Sequence, residues 1–328
     1  MTDRSGPALV VTRHGGSDVL AVEDRTAPQP GPGEVLVRVA AAGVNFIDVY
    51  QREGTYPTEP PFVSGSEGAG TVVAVGPGVE AFGPGDRVAW PQHLGSAAAF
   101  TVRPVDLLVQ VPEGVDLEVA AAVMLQGLTA HYLVTSTFEV TEGTTALVHA
   151  AAGGVGQLLV QLVKARGGTV VATAGGPEKG ETARALGADH VIDYRAVEDL
   201  AAEVRAATGG RGVDVVYDGV GKDTFDASLD SLRPRGTLAL FGAASGQVPP
   251  FDIQRLNRGG SLFLTRPTLG HHLATRDELE WRAREVLGAV ADGSLHVAVG
   301  GRYPLADAAR AYDDLEGRRS QGKLLLIP

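Results

Sequence analysis

Residues 145–166, TALVHAAAGGVGQLLVQLVKAR, constrain the fold of this chain more than any other stretch. Ala146, Leu147 and Val148 form an apolar run that enters a turn of alanines and glycines. Beyond the turn, Val155, Leu158, Leu159, Leu162 and Val163 recur at the spacing of one helical face. A strand, a turn almost without side chains and a helix, in that order, build the phosphate-binding corner of a dinucleotide fold. Backbone N–H groups can approach a pyrophosphate there, and the helix N-terminus adds partial positive charge. The glycine fingerprint falls on Ala151, Gly153 and Gly156, with alanine in the first place. A glycine run alone would equally describe a flexible loop, and the periodic flanks are what separate the two.

The end of the following strand selects the cofactor. NAD binders carry an acidic residue about twenty positions on, which holds the ribose hydroxyls. Here the second strand, 169–173, runs into Ala174, Gly175 and Gly176, so that carboxylate is missing. Lys179 follows, and Tyr194 and Arg195 close the next strand. Cations without a carboxylate suit the extra phosphate of NADP; the alternative for Lys179 is a solvated charge on a helix face.

With 328 residues, 44% of them hydrophobic, the chain can build two domains. Up to about residue 125 the pattern is short strands, 8–12, 34–40, 70–75, 86–90 and 100–102, separated by Gly/Pro turns such as PQPGPGE. A helical stretch follows Asp116 and ends near Val140. Six strands then alternate with helices or loops, at 146–150, 169–173, 190–193, 213–218, 236–241 and 261–264, as an α/β doubly wound parallel sheet requires. Thr275 and Glu278 make a capping box for a helix with Leu279, Ala283, Val286, Leu287 and Val290 on one face. A second helix carries Leu305, Ala308, Ala309, Tyr312 and Leu315, and a closing strand spans 323–327. The expected division is 1–125 for a catalytic domain, 126–265 for the nucleotide-binding domain and 266–328 for a return to the first.

Charge and composition exclude several classes. Lys and Arg number 28 against 39 Asp and Glu, a net charge of −11 with no long basic run, which argues against nucleic acid or an anionic membrane as partner. No stretch reads as a signal-peptide core or as the roughly 20 apolar residues of a membrane span, so a soluble, cytoplasmic protein is expected. With no cysteine in the chain, disulfides, thiolate catalysis and thiolate-held metals are ruled out. No G-x-S-x-G elbow surrounds any serine. GRRSQGK at 317–323 imitates a phosphate loop, but Leu324 stands where Ser or Thr would bind magnesium and a strand follows where a helix is needed. His271 and His272 are adjacent and point apart on any regular element, which reads as a surface loop and not as a metal pair.

GSEGAGTVVAVGPGVEAFGPGDRV, 65–88, resembles the glycine-rich signature of the medium-chain dehydrogenase/reductase superfamily. Its zinc alcohol dehydrogenases have a histidine ligand where Ser66 stands, so the chain resembles a zinc-free branch, with no metal site expected. AAGVNFIDVYQREGTYP, LQGLTAHYL, HAAAGGVGQ, VIDYR, VVYDGVG, LTRPTL and the final QGKLLLIP together resemble the NADPH:quinone oxidoreductase, or zeta-crystallin-like, family. Gly219 and Ala243 depart from the serine and asparagine found in related members.

The resemblance implies a GroES-like catalytic domain beside a Rossmann domain, NADPH as cofactor and a homodimer formed through strand 261–264. It also implies Asn45, Asp48, Tyr50 and Tyr56 on the substrate side. Thr129, Tyr132, Gly153, Gly154, Val155, Lys179, Tyr194, Phe241, Gly242, Arg266 and Gly322 fall on the cofactor side. Asn45 could donate to a carbonyl oxygen that gains negative charge, whereas Asp48 could instead orient a neighbour or cap a helix. Tyr50 and Tyr56 could equally be core residues. Three functions stay open: a metal-free quinone reductase, an enone or enoyl reductase, and a non-catalytic NADPH-binding protein.

Overall fold

The structure, a computed structural model, describes residues 4–328. In chain order its elements are β1 (Ser5–Val11), β2 (Leu20–Thr26), β3 (Glu34–Gly43), α1 (Phe46–Arg52), β4 (Phe62–Val63), β5 (Glu67–Val75), β6 (Arg87–Trp90), β7 (Phe100–Pro104), β8 (Val109–Gln110) and α2 (Leu117–Tyr132). There follow β9 (Thr145–Val148), α3 (Gly154–Ala165), β10 (Thr169–Ala174), α4 (Pro177–Ala185), β11 (His190–Asp193), α5 (Leu200–Ala207), β12 (Val213–Asp218), α6 (Phe225–Ser231), β13 (Leu232–Leu240), α7 (Gln254–Arg258) and β14 (Phe263–Thr265). The chain closes with α8 (Arg276–Ala291), β15 (Val299–Pro304), α9 (Ala308–Glu316) and β16 (Lys323–Ile327). It divides into two compact units, one running to Leu128 and resuming at Leu273–Pro328, the other Thr129–His272.

The first unit is β-rich. One sheet has the order β15-β16-β3-β5-β6-β8, with β7 also on β3, and a smaller sheet has the order β2-β1-β4. Alternating Val35, Val37 and Val39 of β3 pack on Val72, Val88, Trp90 and Leu108. The tail belongs here because it completes a core: Leu305, Ala308, Ala311, Tyr312, Leu324 and Leu326 join Leu9, Ala42, Val44 and Val49. β16 pairs antiparallel with β3, Leu325 facing Gly43 and Leu326 facing Ala42. The capping box forms as the sequence predicts, Thr275 accepting from the Glu278 N–H at 3.3 Å.

The second unit is one parallel sheet of order β11-β10-β9-β12-β13-β14. Counted from β9 this is 3-2-1-4-5-6, and the order reverses between β9 and β12, where such sheets bind ligands beyond their C-terminal ends. Leu147, Val171, Val213, Val216 and Leu238 of the sheet are buried with Phe225 and Leu229 of α6.

Several features depart from the sequence expectation. β2 and β15 show little apolar alternation, β4 and β8 have two residues each, and α1 has only seven, so none gave a periodic signal. Strand β9 ends at Val148 and not at Ala150, because Ala150 turns to φ 49° and leaves the sheet. The units separate at 128/129 and 272/273, against the expected 125/126 and 265/266. No break exists at residue 125, where α2 continues, and the His272 ring stacks on Tyr132 at 4.1 Å and 6°. Residues 117–137, α2 and the π-turn after it, are long and apolar enough to cross a membrane, contrary to the expectation that no stretch is. Burial of 72% of that window inside the protein accounts for its apolarity as that of a core helix.

Candidate active site

In the first unit Asn45 precedes α1 and is buried in a cluster of ionisable groups. Its Nδ2 donates to Glu67 Oε1 at 2.7 Å and to the Gly43 carbonyl at 3.3 Å. Its Oδ1 accepts from Lys323 Nζ at 2.7 Å and from Gln126 Nε2 at 3.4 Å. An ammonium offers only donors and a carboxylate only acceptors, so this amide has one orientation. Both of its donors are occupied, leaving none for a substrate oxygen.

Lys323, 1% exposed, also pairs with Glu67, 0% exposed, whose Oε2 accepts from the Leu125 N–H at 2.6 Å. Burial pushes the Lys323 ammonium below its ordinary value, opposed by the charges of Glu67 and Asp48. A paired buried cation is retained at the cost of desolvation, and it holds two carboxylates together.

Asp48 lies on the first turn of α1. Its Oδ2 accepts from the Asn45 N–H at 2.9 Å, capping the helix, and its Oδ1 accepts from Ser66 Oγ at 2.7 Å. Burial raises its pKa to about 6, against the lowering effects of Ser66, Lys323 and the Asn45 amide. Tyr312 hydrogen-bonds Ser64 Oγ at 3.1 Å, and burial beside Asp48 raises its hydroxyl well above the ordinary value. Tyr50 and Tyr56 are both half-buried, their rings 5.3 Å apart. The Tyr56 N–H bonds the Tyr50 carbonyl at 3.0 Å, fixing the chain between them.

The segment 91–99 beside this cluster is pinned from below. Ser96 Oγ accepts from Trp90 Nε1 at 2.8 Å and from Arg103 Nη2 at 2.9 Å, while the His93 N–H bonds the Ser66 carbonyl at 2.7 Å. The Arg103 guanidinium lies 4.9 Å from the Trp90 ring centroid, and burial lowers its pKa to about 9.

In the second unit the turn after β9 is fastened at every step. The Ala151 N–H bonds the Thr173 carbonyl at 3.0 Å, the Gly153 N–H bonds Ala150 O at 2.8 Å, and Gln157 Nε2 donates to Ala152 O at 2.8 Å. A Cβ at Gly156 would collide with the Ala150 carbonyl, so only glycine lets α3 start this close to the strand. Gly154 and Val155 open α3, where helix geometry leaves the first N–H groups without intrahelical acceptors. The arrangement fits a diphosphate.

Around the end of β10, a Cβ at Gly175 would stand 2.7 Å from Tyr194 Oη and 2.9 Å from Arg195 Nε, so the glycine admits both side chains. The Arg195 guanidinium lies 5.9 Å from the Tyr194 ring centroid, and Lys179 is half-buried on α4. Phe241 and Gly242 rest on the loop after β12: the Phe241 N–H bonds Asp218 O at 2.8 Å, and Gly219 has no Cβ because the Phe241 ring would be 2.8 Å from it. Thr129 and Tyr132 are buried on α2, and Arg266 is exposed just after β14.

The structure thus gathers Asn45 and Asp48 into one cluster and Tyr50 with Tyr56 into another contact. The turn residues, Lys179, Tyr194, Phe241, Gly242, Thr129, Tyr132 and Arg266 lie in the other unit. Gly322 is in the first unit, where φ 65° and a close approach to the Ala298 carbonyl account for its glycine. The sequence marks neither Glu67 nor Lys323 as functional, and Ser66 only as the position of a zinc ligand in relatives, whereas the structure joins all three to Asn45 and Asp48. Lys323 had only a chance phosphate-loop match to mark it, and Glu67 sits within a glycine-rich signature. A carboxylate and a lysine, each within an apolar or glycine-rich strand, were the available signal.

Zinc does not fit these residues: the chain has no cysteine, and Ser66 spends its hydroxyl on Asp48. Among the described residues no group of three or more His, Cys, Asp or Glu side chains is placed to hold a metal.

The profile of the alcohol dehydrogenase GroES-like domain matches residues 31–142, and that of the zinc-binding dehydrogenase matches 154–283. The chain is 46% identical over 317 residues to a quinone oxidoreductase of Pseudomonas aeruginosa, covering 96% of this chain and 97% of that one. It is 43% identical to a 2-haloacrylate reductase of Burkholderia sp, covering 98% of both. A mycobacterial protein solved in complex with NADPH superposes with a TM-score of 0.95 at 53% identity, covering 98% of this chain and 100% of that one.

Proposed function

The chain belongs to the medium-chain dehydrogenase/reductase family, and from that premise we propose that it is an NADPH-dependent quinone reductase that works without a metal ion. One observation carries the reading: the fastened turn of Ala150 to Gly156 stands beside a strand end that offers glycine, Tyr194 and two cations where a ribose-binding carboxylate would be. Bound NADPH supplies a hydride from its nicotinamide ring.

The chain's residues hold and orient. The amides of Gly154 and Val155 at the start of α3 face the diphosphate, Gly153 shapes the turn with its N–H spent on the Ala150 carbonyl, and Lys179 and Tyr194, with Arg195, take the extra phosphate. Thr129, Tyr132, Phe241, Gly242, Arg266 and Gly322 are proposed to frame the rest of the cofactor. Asn45, with no free donor, acts as a positioning residue: it ties α1 to β5 and β16 through Glu67 and Lys323. Tyr50 and Tyr56, half-exposed and in ring contact, present an aromatic face and two hydroxyls to a planar acceptor. Reduction of a quinone by hydride leaves an oxyanion, and a hydroxyl or solvent supplies its one proton.

The 43% identity to a 2-haloacrylate reductase favours a second reading, reduction of an activated C=C bond. That reaction delivers its proton to carbon, so removing the Tyr50 or Tyr56 hydroxyl should harm it more than quinone reduction. Pairing of the edge strand β14 with a second copy would form a homodimer, and Phe263, 61% exposed on that strand, supports it.

The test follows oxidation of NADPH and NADH with quinone and enone panels, chelator present. NADPH-selective turnover of quinones unaffected by chelator is expected. Binding of neither nucleotide, or turnover abolished by chelator, would sink the reading.

A further inference from the structure

Beneath the phosphate-binding turn lies a buried chain of polar side chains with only one consistent set of proton positions. Ser228 Oγ donates to Asp218 Oδ2 at 2.7 Å, so its single proton is committed. His149 Nε2, 3.0 Å from Ser228 Oγ, must therefore be the donor of that contact. Burial lowers the pKa of His149, opposed by the Asp218 charge, so the ring is neutral and its Nδ1 is an acceptor. Thr173 Oγ1, 3.0 Å away, then donates to Nδ1 and accepts from the Ala150 N–H at 3.3 Å. Every link points the same way, from the backbone of the turn to a carboxylate.

One end of this chain is the turn read as the diphosphate site, and the other is the loop after β12, on which Phe241 and Gly242 rest. At one end Ala150 holds φ 49°, a conformation that costs a residue with a Cβ and so needs support from its surroundings. Thr173 gives that support twice, through its hydroxyl to the Ala150 N–H and through its carbonyl to the Ala151 N–H. At the other end Asp218 also accepts from the N–H groups of Val220 at 2.8 Å and Gly221 at 3.0 Å and from Thr224 Oγ1. Its own carbonyl receives the Phe241 N–H.

We propose that His149 is a positioning residue which, as the Nε2–H tautomer, locks the phosphate turn 150–153 to the loop 218–221 through Thr173 and Ser228, and so sets the affinity for NADPH. The inference rests on the reading of the turn as an NADPH site. The chain touches no reacting atom, so it governs binding and leaves the hydride step alone. Cutting it strands a buried donor or acceptor at each break and frees the turn to leave the shape the diphosphate needs.

Long-range proton–nitrogen NMR correlations of the wild-type imidazoles should give His149 as the Nε2–H tautomer at neutral pH, with or without nucleotide; an Nδ1–H ring or an imidazolium would overturn the proposal. Thr173→Val should raise the NADPH Kd about tenfold while kcat at saturating NADPH stays within about twofold, and Thr173→Ser should restore the affinity. Ser228→Ala, which reaches the turn only through His149, should raise the Kd in the same direction. Wild-type Kd in a folded Thr173→Val, or an effect of Thr173→Val with none from Ser228→Ala, overturns the role of His149. Failure of the wild-type protein to bind NADPH would instead overturn the functional reading and leave the tautomer result standing.

Discussion

Each unit buries a polar network, and the two are built on opposite principles. In the first unit three ionisable side chains, Asp48, Glu67 and Lys323, meet with almost no exposure and compensate one another. In the second, neutral hydroxyls and an imidazole relay to the single carboxylate of Asp218, which backbone amides also surround. A compensated cluster joins segments far apart in sequence, here residues 45–48, 67, 125 and 323. It does so at the cost of desolvating charges that none of those segments could carry alone. A neutral relay desolvates less, and suits a turn that must also receive a highly charged ligand.

The largest effect should come from breaking compensation. Lys323→Met leaves Glu67 and Asp48 buried without their cation, and urea melts should register a loss of about 3–5 kcal/mol at neutral pH. Adding Glu67→Gln should recover a substantial part. If Lys323→Met alone costs no more than an exposed ion pair would, the cluster is not the structural joint described here.

The sequence made the turn above the neutral relay legible and hid both networks. Strand, turn and helix around 145–166 announce themselves because the dinucleotide corner is local: period, glycine and alanine fall within one short stretch. The cluster is assembled from four distant segments, and no local pattern reports that Lys323 will meet Glu67. Asn45 illustrates the gap. Its residue type suggested a donor to substrate, and only the three-dimensional neighbours reveal that both amide protons are already used. The boundary expected at 125/126 lies instead at 128/129, inside the apolar helix α2, whose sequence has no helix breaker at residue 125.

Proton uptake sharpens the contrast, because the two networks should respond to acid with opposite signs. Between its ordinary value of 3.8 and about 6, folded Asp48 keeps a proton that the unfolded chain releases. Its contribution to stability is therefore present below pH 3.8 and lost as pH rises through 6, by at most about 3 kcal/mol. His149 is held below 6.5, so the unfolded chain takes up a proton that the folded one refuses, and stability is lost as pH falls below that value. In urea melts across pH 4–7, Asp48→Asn should gain stability relative to wild type as pH rises to about 6 and run parallel above it. A gap that stays constant with pH would make Asp48 an ordinary ionised helix cap.

The smallest effect concerns charge that is not buried. Lys179 is half-buried and Tyr194 is 38% exposed, so the cations proposed for the extra phosphate act through solvent-screened contacts at the rim of the second unit. A charge-assisted hydrogen bond of this kind is worth about 1.5–3 kcal/mol at most, and screening pulls it toward the lower end. Lys179→Ala should weaken NADPH about tenfold, leave NADH unchanged and lose part of its effect at high salt, as read by fluorescence titration. Lys323→Met should respond to salt hardly at all, because its partners are out of reach of counterions. An equal loss for both nucleotides would return Lys179 to the status of a solvated helix charge and leave Arg195 and Tyr194 to account for the selectivity.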